Sequence, residues 1–286
     1  LGLVGESGSG KTLLWRALLR LAPARAKVRG SARFDGADLL TLPLSTLEML
    51  RGREIAVVFQ DPMTSLNPVL TIGTQIIETL RRHLGLGFKP ATARAIELLA
   101  EVGISEPERR LRHYPHHLSG GMRQRVAIAV ALSCEPRLLI ADEPTTALDV
   151  TVQAQILDLI ARERRKREMA LLLITHDLGV VASHTEAVMV MYGGRIVERS
   201  PTRALFTAHR HPYTEALLNA LPRRRSPPHT RLAAIPGTPP DPTRLPPGCA
   251  FAPRCPYATT RCERMPPEEG DAQRSRTCWF PLGDGS

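Results

Sequence analysis

The chain has 286 residues, of which 43 % are hydrophobic and 23 % are charged, as in a globular protein with a large core. Its formal net charge of +10 suits an anionic partner such as nucleic acid or a membrane surface, but it does not choose between them. No apolar run reaches the ~20 residues of a transmembrane helix, and no signal peptide is visible. We therefore expect a cytosolic chain, or one that a partner holds at a membrane.

The first residues predict a phosphate-binding loop between a strand and a helix. The apolar run Leu1–Val4 precedes Gly5–Thr12, which has the spacing G-x-x-x-x-G-K-[ST], and the apolar-periodic segment Leu13–Leu19 follows. In such a loop, backbone N–H groups and the helix start face phosphate oxygens, the lysine reaches the β- and γ-phosphates, and the final hydroxyl binds Mg²⁺. The residues predicted to bind a nucleoside triphosphate are Gly5, Ser7, Gly8, Ser9, Gly10, Lys11 and Thr12.

The chain opens directly on the strand that enters this loop, and its first residue is Leu1 rather than methionine. Nucleotide-binding sheets usually have strands before this point, so we expect that the sequence is truncated at its N-terminus. Residues that contact the base from upstream would then be missing.

Three further apolar runs predict buried parallel strands, and each of them leads into polar residues. The runs are Ile55–Phe59, followed by Gln60; Arg137–Ala141, followed by Asp142 and Glu143; and Ala170–Thr175, followed by His176.

These polar residues suit the chemistry of a triphosphate. Gln60 can reach a metal ion or the attacking water, although an ordinary polar loop residue is the simpler interpretation. Asp142 can hold Mg²⁺ through a water, and Glu143 is placed to polarise the water that attacks the γ-phosphate. His176 leaves the same edge of the predicted sheet, which favours a γ-phosphate contact over a structural role.

Residues 71–118 are predicted to be mostly helical and to lack strands, as in a helical insertion. They lead into Ser119-Gly120-Gly121 and a predicted helix that includes Arg123–Leu132. Ser119 can cap this helix, while Gly120 and Gly121 leave bare N–H groups for an anion. A plain capped helix and an anion-binding helix are both compatible with these residues.

The composition changes after Pro222, where an arginine run leads into the proline-rich tract Pro227–Pro247, a linker or an extended arm. Four of the five cysteines follow it with the spacing C-x5-C-x6-C-x15-C, at Cys249, Cys255, Cys262 and Cys278. In a cytosolic protein this crowding favours metal or cluster ligation over disulfides. The paired C-x-x-C of structural zinc sites is lacking, so a [4Fe–4S] cluster, a zinc ion and no metal all remain open.

In their order along the chain, these motifs resemble the nucleotide-binding subunit of an ABC transporter. The matching parts are the phosphate-binding loop Gly5–Thr12, the Q-loop Gln60, the signature Leu118–Met122, the Walker B pair Asp142-Glu143, the D-loop Ala147–Asp149 and the switch His176. The resemblance covers about residues 1–200.

This resemblance implies an α/β fold of the P-loop NTPase class, with a RecA-like parallel sheet core and a helical subdomain over about residues 71–135. We expect the nucleotide-binding domain to occupy residues 1–222. A C-terminal extension with the four cysteines would occupy residues 223–286.

Finer features resemble the ATPases of the oligopeptide/dipeptide permease branch. They are the segments Phe59–Pro68, Tyr114–His116, Ala141–Ile156 and His211–Tyr213, and the cysteine-bearing tail. This branch implies ATP-driven uptake of di- or oligopeptides, and nickel and some sugar importers share its ATPase type. Members of the branch carry a [4Fe–4S] cluster in this extension, which favours the cluster among the three alternatives.

The resemblance also implies an assembly at the cytoplasmic face of the cell (inner) membrane. Two ATPase subunits, usually different chains in this branch, would sandwich two ATP molecules head to tail. The other implied partners are two integral membrane permease subunits and an extracytoplasmic solute-binding protein.

The roles implied by the family fall into three sets. The catalytic residues would be Glu143, His176 and Gln60. The residues that hold Mg²⁺ would be Thr12, Gln60 and Asp142. The signature residues that close over the partner's ATP would be Ser119, Gly120 and Gly121.

Two other classes of P-loop protein fit the sequence less well than a transporter subunit does. A soluble ABC ATPase that acts on nucleic acid would suit the basic charge, but such proteins usually carry two cassettes, coiled coils or zinc modules, and this chain has one phosphate-binding loop. A plain P-loop kinase or GTPase would lack the signature Leu118–Met122. We therefore predict a transporter subunit with no nucleic-acid partner.

Overall fold

The computed structural model describes residues 1–61, 65–146, 148–221 and 234–283. It divides into two compact units, one formed by Leu1–Leu14 and Leu173–Ser286 and the other by Trp15–Leu172. The predicted domain boundary between residues 222 and 223 lies outside the described residues and stays a prediction. The D-loop residue Ala147 and the first part of the proline-rich tract also lie outside them.

Ten strands and ten α-helices are present in the described residues. The strands are β1 (Gly2–Val4), β2 (Arg33–Phe34), β3 (Ala37–Asp38), β4 (Ile55–Val58), β5 (Leu138–Asp142), β6 (Ala170–Thr175), β7 (Ala187–Tyr192), β8 (Arg195–Pro201), β9 (Glu268–Gly270) and β10 (Ser275–Thr277). The helices are α1 (Lys11–Leu18), α2 (Leu44–Leu50), α3 (Ile72–Leu84), α4 (Phe88–Glu101), α5 (Pro107–Arg110), α6 (Gly120–Leu132), α7 (Val150–Lys166), α8 (Leu178–His184), α9 (Thr202–Ala208) and α10 (Pro212–Asn219).

The first unit is built around β1, which lies between two parallel neighbours. Gly2 and Val4 pair with Leu173 and Thr175 of β6 on one side, and β7 pairs on the other side. Antiparallel pairs then join β7 to β8, β8 to β10, and β10 to β9. The C-terminal strands therefore extend the sheet that holds the strand before the phosphate-binding loop.

Three aromatic rings form the centre of this unit's core. Tyr192 lies 4.5 Å from Tyr213 and 5.2 Å from Phe251, measured between ring centroids, and all three side chains are buried. Burial of each large apolar side chain contributes ~1.5–3 kcal/mol of stability. Because Phe251 lies between two of the clustered cysteines, this part of the C-terminal region is an integral part of the core.

The second unit contains the parallel pair β4 and β5, with Ile55 opposite Leu138 and Val58 opposite Ala141. The sequence predicts both strands, β4 from a run of β-branched residues and β5 from a run of apolar residues. Helix α6 packs against β4, which covers one face of the pair. The carboxyl ends of the two strands consequently lie side by side.

Between Ile72 and Leu132 every described element is helical, as predicted, and α3, α4 and α6 pack against one another. Ile72, Ile76 and Leu80 are fully buried and recur every fourth residue, so they form one stripe of α3. Thr71 caps this helix by accepting a 3.2 Å hydrogen bond from the backbone N–H of Thr74. None of the described helices is both long enough and apolar enough to cross a membrane.

A charged network joins the ends of α4 and α7. The Glu101 carboxylate accepts hydrogen bonds from Lys166 (3.1 Å), Arg167 (2.6 Å) and Arg94 (3.3 Å). Burial acts to raise the pKa of Glu101, but the hydrogen bonds from Lys166 and Arg167 outweigh it and lower the pKa to about 2. The three basic side chains therefore stabilise the ionised carboxylate of Glu101.

Candidate nucleotide-binding site

The loop Gly5–Thr12 follows β1 and leads into α1, as its spacing predicts. A Cβ atom at Gly5 would lie 2.2 Å from the backbone oxygen of Met191, so a side chain cannot be accommodated there. Gly8 and Gly10 have φ angles of 80° and 99°, a region that glycine enters without strain. These glycines give the loop its tight turn.

Lys11 is buried at the end of this loop. Its Nζ donates hydrogen bonds to the backbone oxygens of Gly5 at 2.8 Å and Glu6 at 3.0 Å. The Ser9 hydroxyl is also buried, and it has no hydrogen-bond partner within the described residues. Because an unpaired buried hydroxyl costs free energy, the loop has capacity for a polar ligand.

His176 leaves the sheet beside the phosphate-binding loop. Val4 and Thr175 are paired in the parallel strands β1 and β6, so Gly5 and His176 follow at the same edge. The Thr175 hydroxyl accepts a 3.0 Å hydrogen bond from the backbone N–H of Asp177, which in turn caps α8. The exposed His176 is thereby held between a strand end and a capped helix, and its contact with a γ-phosphate stays a prediction.

Asp142 ends β5 in the second unit and is 2 % exposed. Its Oδ2 accepts a 2.8 Å hydrogen bond from the Nε1 of Trp15, and its Oδ1 has no hydrogen-bond partner in the described part of the chain. The Trp15 ring makes an edge contact with Phe59 at a centroid distance of 5.7 Å. A buried carboxylate oxygen without a protein partner suits Mg²⁺ or a water bound to it.

Glu143 follows Asp142 with a φ angle of 46°, which is unusual for a residue other than glycine. Its Oε2 accepts hydrogen bonds from Nε2 of Gln60 at 3.2 Å and from Oγ1 of Thr146 at 3.0 Å. The pairing of β4 with β5 thus brings together Gln60 and Glu143, which are 83 positions apart in the chain. An oriented carboxylate of this kind can accept a proton from a water molecule.

The signature helix α6 begins at Gly120, directly after Ser119, so both glycines lie in its first turn. Ser119 caps it as predicted, because its Oγ accepts a 3.4 Å hydrogen bond from the backbone N–H of Met122. A Cβ atom at Gly121 would lie 2.7 Å from Cγ1 of Val152, whereas one at Gly120 would meet Leu148 at 3.6 Å. Gly121 therefore permits close packing of α6 against α7.

All four clustered cysteines line one cavity of the first unit, together with His211 and several aromatic side chains. All are free thiols, and burial raises the pKa of Cys249 and Cys255, and that of Cys278 to about 11. Backbone N–H groups bond to all three of these sulfurs. As placed, however, no three His, Cys, Asp or Glu residues of the described chain could hold a metal ion.

Two residues of the site had no predicted role. Trp15 lies in an apolar-periodic helix and Thr146 in a turn, and neither pattern indicates a carboxylate partner. The one available signal is general: a buried indole N–H needs an acceptor.

Comparison with known proteins agrees with this geometry. The family model described as "ABC transporter" matches residues 1–146, and that described as "Oligopeptide/dipeptide transporter, C-terminal region" matches residues 197–262. A putative peptide import ATP-binding protein of Brucella melitensis is 53 % identical over 268 residues, which are 93 % of this chain and 80 % of that protein. The dipeptide transport ATP-binding protein DppD of Escherichia coli is 49 % identical over an alignment of 287 positions, which covers 99 % of this chain and 87 % of DppD.

Solved structures show the same fold. A dimeric ATP-binding cassette in a post-hydrolysis state, with ADP and Pi bound, has a TM-score of 0.62 and 28 % identity; the match covers 71 % of this chain and 84 % of that one. The fold is that of an ABC-type ATPase cassette. The chain belongs to the ABC transporter family and carries the C-terminal region of its oligopeptide/dipeptide branch.

Proposed function

We propose that this chain is the ATP-binding and ATP-hydrolysing subunit of an ABC importer that powers uptake of di- or oligopeptides. The observation that carries the proposal is the double match: the chain resembles peptide import ATPases in its cassette and also in its C-terminal region. An ABC cassette without the peptide-branch C-terminal region would match only the first of the two family models. Nickel or a sugar is the alternative solute.

In the proposed reaction, the phosphate-binding loop takes up the triphosphate of ATP. Lys11 exchanges the backbone oxygens of Gly5 and Glu6 for phosphate oxygens, and the N–H groups of the loop donate to the same anion. The unpaired hydroxyl of Ser9 supports this role, because a polar ligand would satisfy it. His176 contacts the γ-phosphate from the adjacent strand end.

The residues that would hold Mg²⁺ are Thr12, Gln60 and Asp142. The support from the structure is the buried Oδ1 of Asp142, which lacks a partner within the described residues. When bound, the ion neutralises charge on the phosphates.

Glu143 is the proposed general base, which accepts a proton from the attacking water. Gln60 and Thr146 both donate to its Oε2, and these contacts fix the orientation of the carboxylate. A positioned general base contributes ~10²–10⁴ to the rate.

Ser119, Gly120 and Gly121 are proposed to close over the ATP of a second ABC subunit. Ser119 and Gly120 are exposed on this chain, which leaves the start of α6 open to a partner. In the importer the chain would act at the cytoplasmic face of the membrane, bound to two permease subunits that receive solute from an extracytoplasmic binding protein.

The four-cysteine cavity is proposed to hold a [4Fe–4S] cluster, for which the thiols would have to move closer together, since no three ligands of the described chain are placed to hold a metal ion. Its support is the convergence of four free thiols on one cavity and the backbone N–H bonds to three of them, because such bonds stabilise thiolate ligands. Anaerobic purification with an optical spectrum and assays for iron and zinc tests this. Colourless, iron-free protein would contradict the cluster, and stoichiometric zinc would indicate a zinc site in its place. Cys134→Ala, which lies outside the cavity, is the control.

The transport function is tested with the chain in its assembled importer, reconstituted with its permease and binding-protein subunits. We expect ATPase activity to rise with di- or oligopeptides and not with nickel or sugars. Stimulation by nickel or a sugar alone would overturn the solute, and co-purification with nucleic acid instead of membrane subunits would overturn the class. The same complex carrying Glu143→Gln provides the background rate.

A further inference from the structure

The phosphate-binding loop of the first unit is anchored by the C-terminal region through Arg254. Its guanidinium donates to both carboxylate oxygens of Glu6, to Oε2 at 2.7 Å and to Oε1 at 3.1 Å. The Arg254 side chain is 4 % exposed and the Glu6 side chain 25 % exposed, so water screens this ion pair only weakly. Glu6 is the second residue of the loop motif, 248 positions earlier in the chain.

The backbone of Glu6 has a second anchor. Its N–H donates a 2.9 Å hydrogen bond to the hydroxyl of Tyr213, which is fully buried in the core. Its carbonyl accepts bonds from Lys11 and from the N–H of Ser9. The position of the Glu6 backbone therefore affects both the turn of the loop and the position of the Lys11 ammonium.

Arg254 is itself rigidly held. It donates to the backbone oxygen of Pro236 at 2.9 Å and to the Tyr192 hydroxyl at 3.1 Å. It directly precedes Cys255, one of the cysteines that line the cavity, and Tyr213 follows His211, which lines the same cavity. Both anchors of the loop are thus close in the chain to residues that line the cysteine cavity, although neither side chain lines it.

We propose that Arg254 and Tyr213 are positioning residues for the ATP site, which hold Glu6 so that the phosphate-binding loop stays open to a triphosphate. This inference rests on the proposed function, since it concerns the affinity of that site for ATP. Two physical effects contribute. The anchors fix the loop backbone, and Arg254 neutralises a carboxylate that would otherwise repel phosphates.

The first test compares nucleotide affinity among variants of the chain. Arg254→Met is expected to raise the Kd for Mg-ATP at least about tenfold, because it leaves the Glu6 carboxylate uncompensated in the loop. The double variant Glu6→Gln/Arg254→Met removes that charge and is expected to recover most of the affinity. Displacement of a fluorescent ATP analogue measures all values, at a temperature at which each variant is folded.

The matched control is Arg276→Met, which removes an ion pair of the same C-terminal region: Arg276 lies 3.2 Å from Glu269 in β9. It is expected to leave the Kd within twofold of the parent. If Arg276→Met weakened ATP binding as much as Arg254→Met does, the cause would be a general destabilisation of the C-terminal region. The proposal would then be wrong. A Kd for Arg254→Met within twofold of the parent, or a double variant no better than it, would also overturn the proposal.

Tyr213→Phe tests the second anchor and covers the case in which Arg254→Met does not fold. It removes one hydroxyl, keeps the ring in the core, and leaves the N–H of Glu6 without its acceptor, so a rise in Kd of ~3–10-fold is expected. An unchanged Kd would refute the role of Tyr213. If the parent chain itself fails to bind Mg-ATP, the proposed function falls; if the parent binds and these variants bind equally well, only this inference falls.

Discussion

The Nε1 of Trp15 donates a hydrogen bond to Oδ2 of Asp142, and both side chains are almost completely buried. This bond holds one oxygen of the carboxylate and leaves the other, Oδ1, as the one available to a ligand. The edge contact with Phe59 fixes the indole in turn. The orientation of the proposed Mg²⁺ ligand is therefore determined by the helix that follows the phosphate-binding loop.

Trp15→Phe removes the donor and leaves a buried carboxylate oxygen unpaired. We expect the free energy of unfolding to fall by ~1–3 kcal/mol and the Mg²⁺ dependence of ATP binding to weaken. Denaturant unfolding and a Mg²⁺ titration of nucleotide binding measure the two effects. Phe59→Leu is the control, since it loses the ring contact but retains the hydrogen bond. Equal Mg²⁺ dependence in the two variants would contradict the role of Trp15.

Glu143→Gln is expected to abolish ATP hydrolysis, with a loss of ~10²–10⁴ in rate, while Mg-ATP binding stays intact. The amide has the shape of the carboxylate but cannot accept the proton. A steady-state phosphate-release assay and a nucleotide-binding assay separate the two readouts. Thr146→Val keeps the carboxylate and removes one of its hydrogen bonds, so its loss should be smaller. Normal turnover in Glu143→Gln would rule out the assigned base.

Gly121→Ala introduces a Cβ atom 2.7 Å from Cγ1 of Val152. The clash is expected to cost ~1–3 kcal/mol, which exceeds the gain of ~1 kcal/mol that alanine brings to a helix. Thermal or denaturant unfolding measures the difference. Gly120→Ala meets its neighbour at an ordinary 3.6 Å and should not show this loss, and Gly121→Ala/Val152→Ala should regain part of it. Equal stability of the two single variants would contradict the close packing.

Glu101→Gln tests the charged network of the second unit across pH. The pKa of Glu101 is about 2 in the folded chain and 4.5 ordinarily, so its contribution to stability is complete above pH 4.5 and is lost as the pH falls toward 2. We expect the variant to be less stable by ~1–2 kcal/mol at neutral pH, after allowance for solvent screening. Denaturant midpoints of parent and variant should converge as the pH falls from 4.5 toward 2.

The control for this series is Glu97→Gln. Glu97 also pairs with Arg94, but its side chain is 62 % exposed, so a change below ~0.5 kcal/mol is expected. A difference between parent and Glu101→Gln that is constant with pH would show that the network does not depend on the charge of Glu101.

The features predicted from the sequence are those that local spacing determines. The turn of Gly5–Thr12 and the cap by Ser119 each follow from residues that are close together in the chain, and the buried strands follow from short apolar runs. The strand ends then place Gln60 near Glu143, because neighbouring parallel strands end at one edge.

Other relationships carry no local signal. Trp15 and Asp142 are 127 positions apart, and nothing in the apolar pattern of α1 distinguishes a packed indole from one that orients a carboxylate. The clearance around Gly121 depends on how closely two helices approach. Arg254 follows a proline in a stretch without periodicity, so its contact with Glu6 emerges only when the C-terminal region joins the sheet of β1.

The ammonium of Lys11 is hydrogen-bonded to the backbone of its own loop. Its ammonium already has two backbone oxygens, so any anion that recruits it is in competition with the protein's own carbonyl groups. The affinity for a phosphate then reflects the lysine–phosphate contact minus the two hydrogen bonds that it replaces. It is therefore weaker than the lysine–phosphate contact alone would give. Lys11→Ala would remove two hydrogen bonds within the loop together with a phosphate contact. A measurement of binding alone would therefore miss what Lys11 contributes to the conformation of the loop.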